Sequence, residues 1–559
     1  METHEETDGS SPEVLDVEQT GHCPHEHGKD DLTIKDVFRK HPAIIWWCLY
    51  WSLAGVSYGI DNQATGSILS VRSFRRDFGY YFDGDPVLPA KWQAAFNTSS
   101  FIGQFFGGLL CSYLTDRLGR TLALGISIGI ATSGIIGQLL STANAAFLAS
   151  KLTLGFGLGF YLTLLPLAMS EYTPVVFRPI ATASVQFSIS VGQLLANVAI
   201  KAFGELESHW AYRGPFAVQL PFCLFLVAGL PFSPETPCYL VRRGKRDQAK
   251  ASLARLYGKG SRDDIETKVC ALENTLAEEG NKDASLSSIM LCFRGTNRIR
   301  TMISTFVFLG LHCTGTICIV GYSTYFFQLA GLPTRRTFDL GVCVTAVALF
   351  GVCCNWVVIN RLGRRKIYVS GIFCLTALLF TIGIIDVIPS GAGKTVEAAS
   401  TVAFAFIYTF TVGSCAFAIL GEVSSVSLRA PTVALATGMQ AFCGITFNLI
   451  IPYMMNPDQG NLKGKVGFIF GVSALCAGVW SFFFVPDLEG RSFNDIDRMF
   501  VARVPPRKMA VIEVIESCLV AQKLVVEADW AFPPPELRES FETSRLQRRL
   551  KSGGRATGS

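Results

Sequence analysis

The chain has 559 residues, 50% of them hydrophobic and 17% charged, with 42 Phe, 52 Gly and a mean hydropathy of +0.36. Soluble proteins carry about 25% charged residues, so this composition excludes an ordinary globular domain and indicates a membrane protein. The net charge of +5 calls for no nucleic-acid partner, and the 17 Cys, mostly placed in apolar runs, read as small buried hydrophobes rather than a disulfide framework.

Residues 1–41 are acidic and His-rich and predict a disordered cytosolic tail. His22, Cys23, His25 and His27 are adequate metal ligands, but a solvated tail gives them no site, and no metal is expected. No signal-peptide pattern precedes the first apolar run, so the N-terminus is expected to stay in the cytosol. Apolar runs then fall at about 43–60, 91–114, 121–141, 145–169, 181–203 and 213–233. After a polar stretch, 234–300, they resume at about 301–328, 339–359, 366–388, 399–421, 431–455 and 466–485. Most reach the roughly 20 residues that a bilayer core requires. The expectation is an all-α membrane protein of twelve spans, with a six-helix bundle at 42–233, another at 301–485 and a cytosolic tail at 486–559.

Basic residues are concentrated in the loops on one side, among them Arg242, Arg243, Lys245 and Arg246, which predicts both termini on the cytosolic side. The opposite loops also hold Arg72, Arg75, Arg76, Arg335 and Arg336. In the middle stretch Ile265, Val269, Leu272 and Leu276 recur at helical spacing, giving one apolar face for docking beneath the bundle. The end of the tail, Arg545 to Arg555, is basic and reads as a solvated face. Gly391–Thr395 resembles the end of a phosphate loop, but position 388 is Ile where that motif needs Gly, and no strand pattern precedes it.

The two halves repeat. Thr115–Arg120 (TDRLGR) returns as Asn360–Arg365 (NRLGRR), Glu171-x6-Arg178 as Glu422-x6-Arg429, and Pro234-Glu235 as Pro486-Asp487. The shifts are 363 − 119 = 244, 422 − 171 = 251 and 486 − 234 = 252. Nearly one shift for three landmarks indicates duplicated halves, as in transporters built from repeats.

Ionisable residues at membrane depth are costly and are functional candidates. Asp61 closes the first apolar run and Lys151 opens the fourth; if the two meet, each offsets the other's desolvation, and protonation of Asp61 would loosen two helices. His312 is the other such group, in a run of Gly, Thr and Cys that suits a cavity wall.

Taken together, Gly59–Asp61 (GID), the two hairpins, Glu171–Arg178, Pro234–Leu240 (PETPCYL) and Val485–Phe500 (VPDLEGRSFNDIDRMF) resemble the sugar porter family of the major facilitator superfamily over about residues 42–500. Gly321–Leu332 (GYSTYFFQLAGL), the Pro431–Ala436 run after Arg429 and the stretch from Ile451 resemble the fungal α-glucoside, maltose-type permeases within it. The resemblance implies a sugar site between the halves. It carries the family's sugar ligands to Gln186, Gln193, His312, Gly413, Phe417, Gln440 and Tyr58, and its proton-coupling pair to Asp61 and Lys151. It also implies a cytosolic gate of Asp116, Arg117, Arg120, Glu171, Arg178, Glu235, Arg361, Arg364, Arg365, Glu422 and Arg429. Amides suit this chemistry because each offers a donor and an acceptor to vicinal hydroxyls, while an aromatic face covers the C–H side of a sugar.

Four positions depart from the family: His312 stands for a Gln, Lys151 for an Arg, Ser414 for a common Pro and Cys238 for a frequent Arg. Lys151 keeps the charge but not the planar fork that grips a carboxylate. The function expected is transport of a hexose or an α-glucoside such as maltose by proton symport, in a monomer at the plasma membrane. No cofactor beyond the coupling proton is expected. The alternatives are a proton-independent facilitator or exporter of a glycoside, polyol or secondary metabolite, and a nutrient sensor. No nucleophile–base pair or metal-ligand spacing falls at the membrane midplane, so no enzyme is expected.

Overall fold

The computed structural model describes residues 37–509, except 38, 83–84, 175–176, 259–261, 279–285, 330–332, 388–392, 426–427, 457–459, 461 and several positions from 489 to 508. His22, Cys23, His25, His27, Gly391 and Arg545–Arg555 lie outside the described residues. The described chain is almost wholly helical. Helices α1 (Pro42–Ser67), α3 (Ala90–Leu118), α4 (Arg120–Leu140), α5 (Asn144–Tyr172) and α6 (Arg178–Phe203) are the first five spans, and α7 (Trp210–Ala217) with α8 (Gln219–Gly229) makes the sixth. A short helix α2 (Arg72–Phe78) and a hairpin, β1 (Tyr80–Phe82) with β2 (Asp85–Val87), lie between the first two.

Four short helices bridge the halves: α9 (Pro237–Arg242), α10 (Arg246–Tyr257), α11 (Arg262–Glu278) and α12 (Leu286–Leu291). On α11 Val269 is buried and Ile265 and Leu272 are half-buried, while the side chain of Leu276 is outside the described residues. Among the described residues fourteen cysteines are free, and Cys270 on α11 is the disulfide-bonded exception. The second half contains α13 (Asn297–Cys313), α14 (Ser323–Leu329), α15 (Thr334–Leu362), α16 (Arg364–Val387), α17 (Gly393–Tyr408), α18 (Ser414–Val423), α19 (Arg429–Met455) and α20 (Val466–Phe484). Here α13 with α14 forms the seventh span and α17 with α18 the tenth.

The duplication is visible in the helices themselves. Both α3 and α15 have 29 residues, start after Pro89 and Pro333 and end at Gly119 and Gly363. Those glycines sit at φ +95° and +78°, a left-handed conformation that lets one helix stop and the next begin at once. The halves meet along α3 against α19 and along α6 against α15.

Two expectations need correction. The first span does not end at Asp61: α1 runs on to Ser67, followed by a 3₁₀ turn to Ser70, because Asp61 is neutralised inside the fold and the helix has no need to stop there. The seventh span is not continuous either. It breaks at Thr314 and Gly315, where φ is +75°, and passes through a π turn at Ile317–Gly321. A matching π turn, Thr409–Gly413, joins α17 to α18. Wide turns of this kind occur disproportionately at functional sites, and both flank the central cavity.

Candidate functional site

A cavity lined by both halves lies between them. Of the side chains carried over from the sequence, Tyr58, Asp61, Gln186, Gln193, His312, Phe417 and Gln440 line it. Gly413 does not: a Cβ there would lie 3.3 Å from the Gln186 amide carbon and from the Tyr408 ring, so Gly413 gives both of these lining side chains room. Lys151 is also off the wall, fully buried behind Asp61.

The lining is built to meet hydroxyl groups. Gln440 donates to the Tyr58 hydroxyl across the halves (3.3 Å), and Gln186 donates weakly to Ser190 (3.4 Å). The oxygens Oε1 of Gln440, Oε1 of Gln104 and Oδ1 of Asn97 are buried without a protein partner. A buried unmet acceptor costs about 1–3 kcal/mol, so these cavity-lining residues carry hydrogen-bonding capacity that the protein itself leaves unused. His312 Nδ1 lies 3.4 Å from the Phe308 carbonyl. With the proton on Nδ1, Nε2 remains an acceptor. Phe417 is held edge-to-face against Phe308 at 5.2 Å.

Sequence reasoning passed over the contribution of α3. Gln93, Asn97, Ser100 and Gln104 recur at i, i+4, i+7 and i+11, a polar stripe on one face of a span, and the last three line the cavity. That stripe was legible signal. Tyr322, Tyr408 and Asn448 were missed as well; the Tyr322 hydroxyl accepts from Asn97 and donates to Asn448 (3.1 Å), tying α3 to the seventh and eleventh spans.

Behind the wall, Lys151 Nζ donates to Asp61 Oδ1 at 2.5 Å and to Thr65 Oγ1 at 2.6 Å, and sits 4.7 Å over the Phe216 ring. Ser100 donates to the other Asp61 oxygen at 3.1 Å. Backbone contact makes this possible: a Cβ on Gly155 or Gly159 would strike the carbonyl oxygens of Ser100 and Gln104, so only glycine brings α5 this close to α3.

At the end of the bundle that carries the two hairpins, each half holds a matching ion pair, Arg120–Glu171 and Arg364–Glu422, both at 3.0 Å. Asp116 pairs with Arg242 (3.3 Å) and lies 4.0 Å from Arg120. The Arg429 charge acts on Glu171 and the Arg178 charge on Glu422, so the clusters communicate across the halves. Glu235 is different in kind: it accepts the backbone N–H groups of Arg120 (2.9 Å) and Thr121 (3.1 Å), capping the N-terminus of α4. Asp487 lies against Gly363 as Glu235 lies against Gly119. Three further predicted gate residues make other contacts or are exposed. Arg117 is exposed over the Tyr113 ring, Arg361 is exposed, and Arg365 donates to the Phe482 carbonyl (2.9 Å).

The opposite end is also joined. Asn197 donates to the Gly341 carbonyl (2.9 Å), Gln63 to the Val320 carbonyl (3.4 Å), and Lys201 pairs with Asp339 (2.6 Å). Contacts between the halves thus lie on both sides of the cavity.

Residues 47–500 match the model of a family described as sugar (and other) transporters. A general alpha-glucoside permease of Saccharomyces cerevisiae is 27% identical over 485 residues, covering 86% of this chain and 79% of the permease. A maltose permease of the same organism is 24% identical over 541 residues, 95% of this chain and 87% of that one. These relatives are permeases, transporters rather than enzymes. Among solved structures, the proton:xylose symporter XylE bound to 6-bromo-6-deoxy-D-glucose matches with a TM-score of 0.70 at 20% identity, over 82% of this chain and 99% of that one. XylE from E. coli in a partially occluded inward open conformation gives 0.65 at 20% identity, over 81% and 100%. The fold is that of the major facilitator superfamily.

Proposed function

The chain belongs to the family of sugar (and other) transporters, and on that premise we propose that it is a proton-coupled symporter of an α-glucoside such as maltose, or of a hexose. The names of its yeast relatives support the substrate class. The observation that carries the mechanism is the Asp61–Lys151 pair, with the carboxylate on the cavity wall and the ammonium sealed behind it. A proton arriving through the cavity reaches Asp61, cancels its attraction for Lys151 and loosens α1 from α5, so proton binding and rearrangement are one event. Gln186, Gln193, Gln440, His312 and Tyr58 hold sugar hydroxyls, and Phe417 covers an apolar ring face.

Alternating access is a rocking of six spans against six. The hairpin end is the cytosolic end, with both termini beside it, and Arg120–Glu171 and Arg364–Glu422 form part of the latch that closes it. Such pairs are individually modest, but they act as a network made in one state and solvated in the other. The protein works as a monomer in the plasma membrane.

The test is Asp61→Asn, which mimics the protonated carboxyl at constant volume. Reconstituted variant should exchange sugar down a gradient yet fail to accumulate it at an inward proton gradient. Accumulation by this variant as high as wild type's would reject proton symport in favour of a facilitator.

A further inference from the structure

Four polar groups form a continuous line from the cavity to the buried ion pair. Gln104 lines the cavity, its Oε1 is buried without a protein partner, and its Nε2 donates to Ser100 Oγ at 3.3 Å. Ser100 in turn donates to Asp61 Oδ2 at 3.1 Å, and Asp61 Oδ1 holds Lys151. Ser100 and Gln104 are one helical turn apart on α3, pinned to α5 by the contacts of Gly155 and Gly159. We propose that Ser100 and Gln104 form a relay that converts the protonation state of Asp61 into the hydrogen-bonding polarity that the cavity shows to the sugar, an inference that rests on the symport reading.

The logic follows from what each group can donate. Ionised Asp61 is acceptor-only, so Ser100 must spend its single hydrogen on it. The Ser100 oxygen then accepts from the Gln104 NH₂, and the Gln104 carbonyl is left to face the cavity as an acceptor. When a proton binds Asp61 at Oδ2, that O–H donates to Ser100 Oγ. The Ser100 hydrogen is released and needs a new acceptor, which the Gln104 carbonyl supplies by a half-turn of the amide. The NH₂ group now faces the cavity as a donor. No covalent bond other than the new O–H on Asp61 is made, and no net charge moves beyond that proton. A sugar hydroxyl held in place by Gln186 and Gln440 has a fixed role at Gln104, so it is satisfied in one state and opposed in the other.

The charged group facing Asp61 is Lys151 from α5. Tyr58, one turn away on α1, is the other titratable neighbour; α3 offers Ser100. α6 shows Ile189 and Gly192 to α1 near Asp61, and Tyr322, between the π turn and α14, lines the cavity beside it. His312 and Tyr408 line the cavity beyond them. Among these, Ser100 is the group that joins Asp61 to a cavity amide by hydrogen bonds.

The experiment measures equilibrium binding of maltose, with D-glucose beside it, to purified full-length protein at pH 5.5 and 7.5. Wild type, Ser100→Ala and Gln104→Leu are compared, and folding is checked by unfolding temperature. Wild-type affinity should differ about tenfold between the two pH values, the effect of roughly one hydrogen bond, and each variant should bind with a pH ratio near one. Variants that keep the wild-type ratio overturn the relay while leaving symport standing. A wild-type ratio of one removes proton coupling and the relay with it, and wild-type protein that binds neither sugar removes the substrate reading and the relay together. Because Gln104→Leu leaves the Ser100–Asp61 contact in place, it decides the question even if Ser100→Ala does not fold.

Discussion

Replacing Lys151 by Met removes the ammonium, which sits over the Phe216 ring, while keeping an unbranched stem of similar length. Asp61 is 1% exposed and Lys151 is 0% exposed, so the carboxylate loses its counter-charge with little water to replace it. Ser100 remains as a hydrogen-bond donor, and Thr65, which spends its own hydrogen on the Asp61 carbonyl, supplies none. Breaking a buried pair on one side costs about 3–5 kcal/mol, since the surviving ion is left desolvated. A proton on Asp61 cancels that charge, so the loss should be small at low pH and grow as pH rises until the carboxyl is ionised. Adding Asp61→Asn should return most of the lost stability, because removing both charges leaves no orphan. Unfolding temperatures of purified protein, scanned at one rate at pH 5 and pH 8, measure all of this; a common rate matters because such unfolding is often irreversible. A single variant as stable as wild type at pH 8, or a double variant no more stable than the single, would refute the buried-pair argument.

Two further predictions concern the sugar site and the hairpin end. Gln186→Ala should weaken sugar binding by about 1–3 kcal/mol without lowering the amount of protein in the membrane, because it deletes paired hydrogen bonds at the cavity wall; unchanged affinity for every transported sugar would remove Gln186 from the site. Arg120→Ala and Arg364→Ala should each favour the state open at the hairpin end, raising thiol labelling of engineered cysteines on that side of the cavity. Labelling equal to wild type's would show that the two ion pairs do not hold that end shut.

What the sequence made legible was set by periodicity and by charge. The hairpins, the twelve spans and the duplicated landmarks all follow from long apolar runs cut by short basic turns, and the 244-residue shift reappears in α3 and α15. Asp61 and Lys151 stood out because a charge in an apolar run has few explanations. The span boundaries were less legible. Asp61 looked like an end because hydropathy treats an isolated carboxylate as exposed, whereas its ion pair lets α1 continue for nearly two more turns. The break at Gly315 has the same origin, since a glycine in a span gives no sign of whether it serves close packing or a positive φ. Arg117 and Arg361, which are exposed, could not be told apart from the buried Arg120 and Arg364 beside them, because a motif fixes a residue's position on the chain while its helical phase decides its burial.

The missed stripe on α3 shows where the remaining information lay. Among the described residues ten helices are long and apolar enough to cross a membrane by composition alone, and α3 and the broken α13–α14 span are not among them. Both border the cavity, α3 through Asn97, Ser100 and Gln104 and the seventh span through His312, Thr316 and Tyr322. A helix that faces lipid on one side and a polar cavity on the other must give up apolar residues on the inner face, so spans of weak hydropathy are candidates for the cavity wall. Low hydropathy and helical polar spacing, taken together, are enough to select α3 from the amino-acid sequence. The same trade explains the glycines of α5. A polar stripe buried in a bundle has to be met by polar partners or by backbone, and close approach of α5 brings Lys151 to Asp61 while leaving Gln104 facing the cavity.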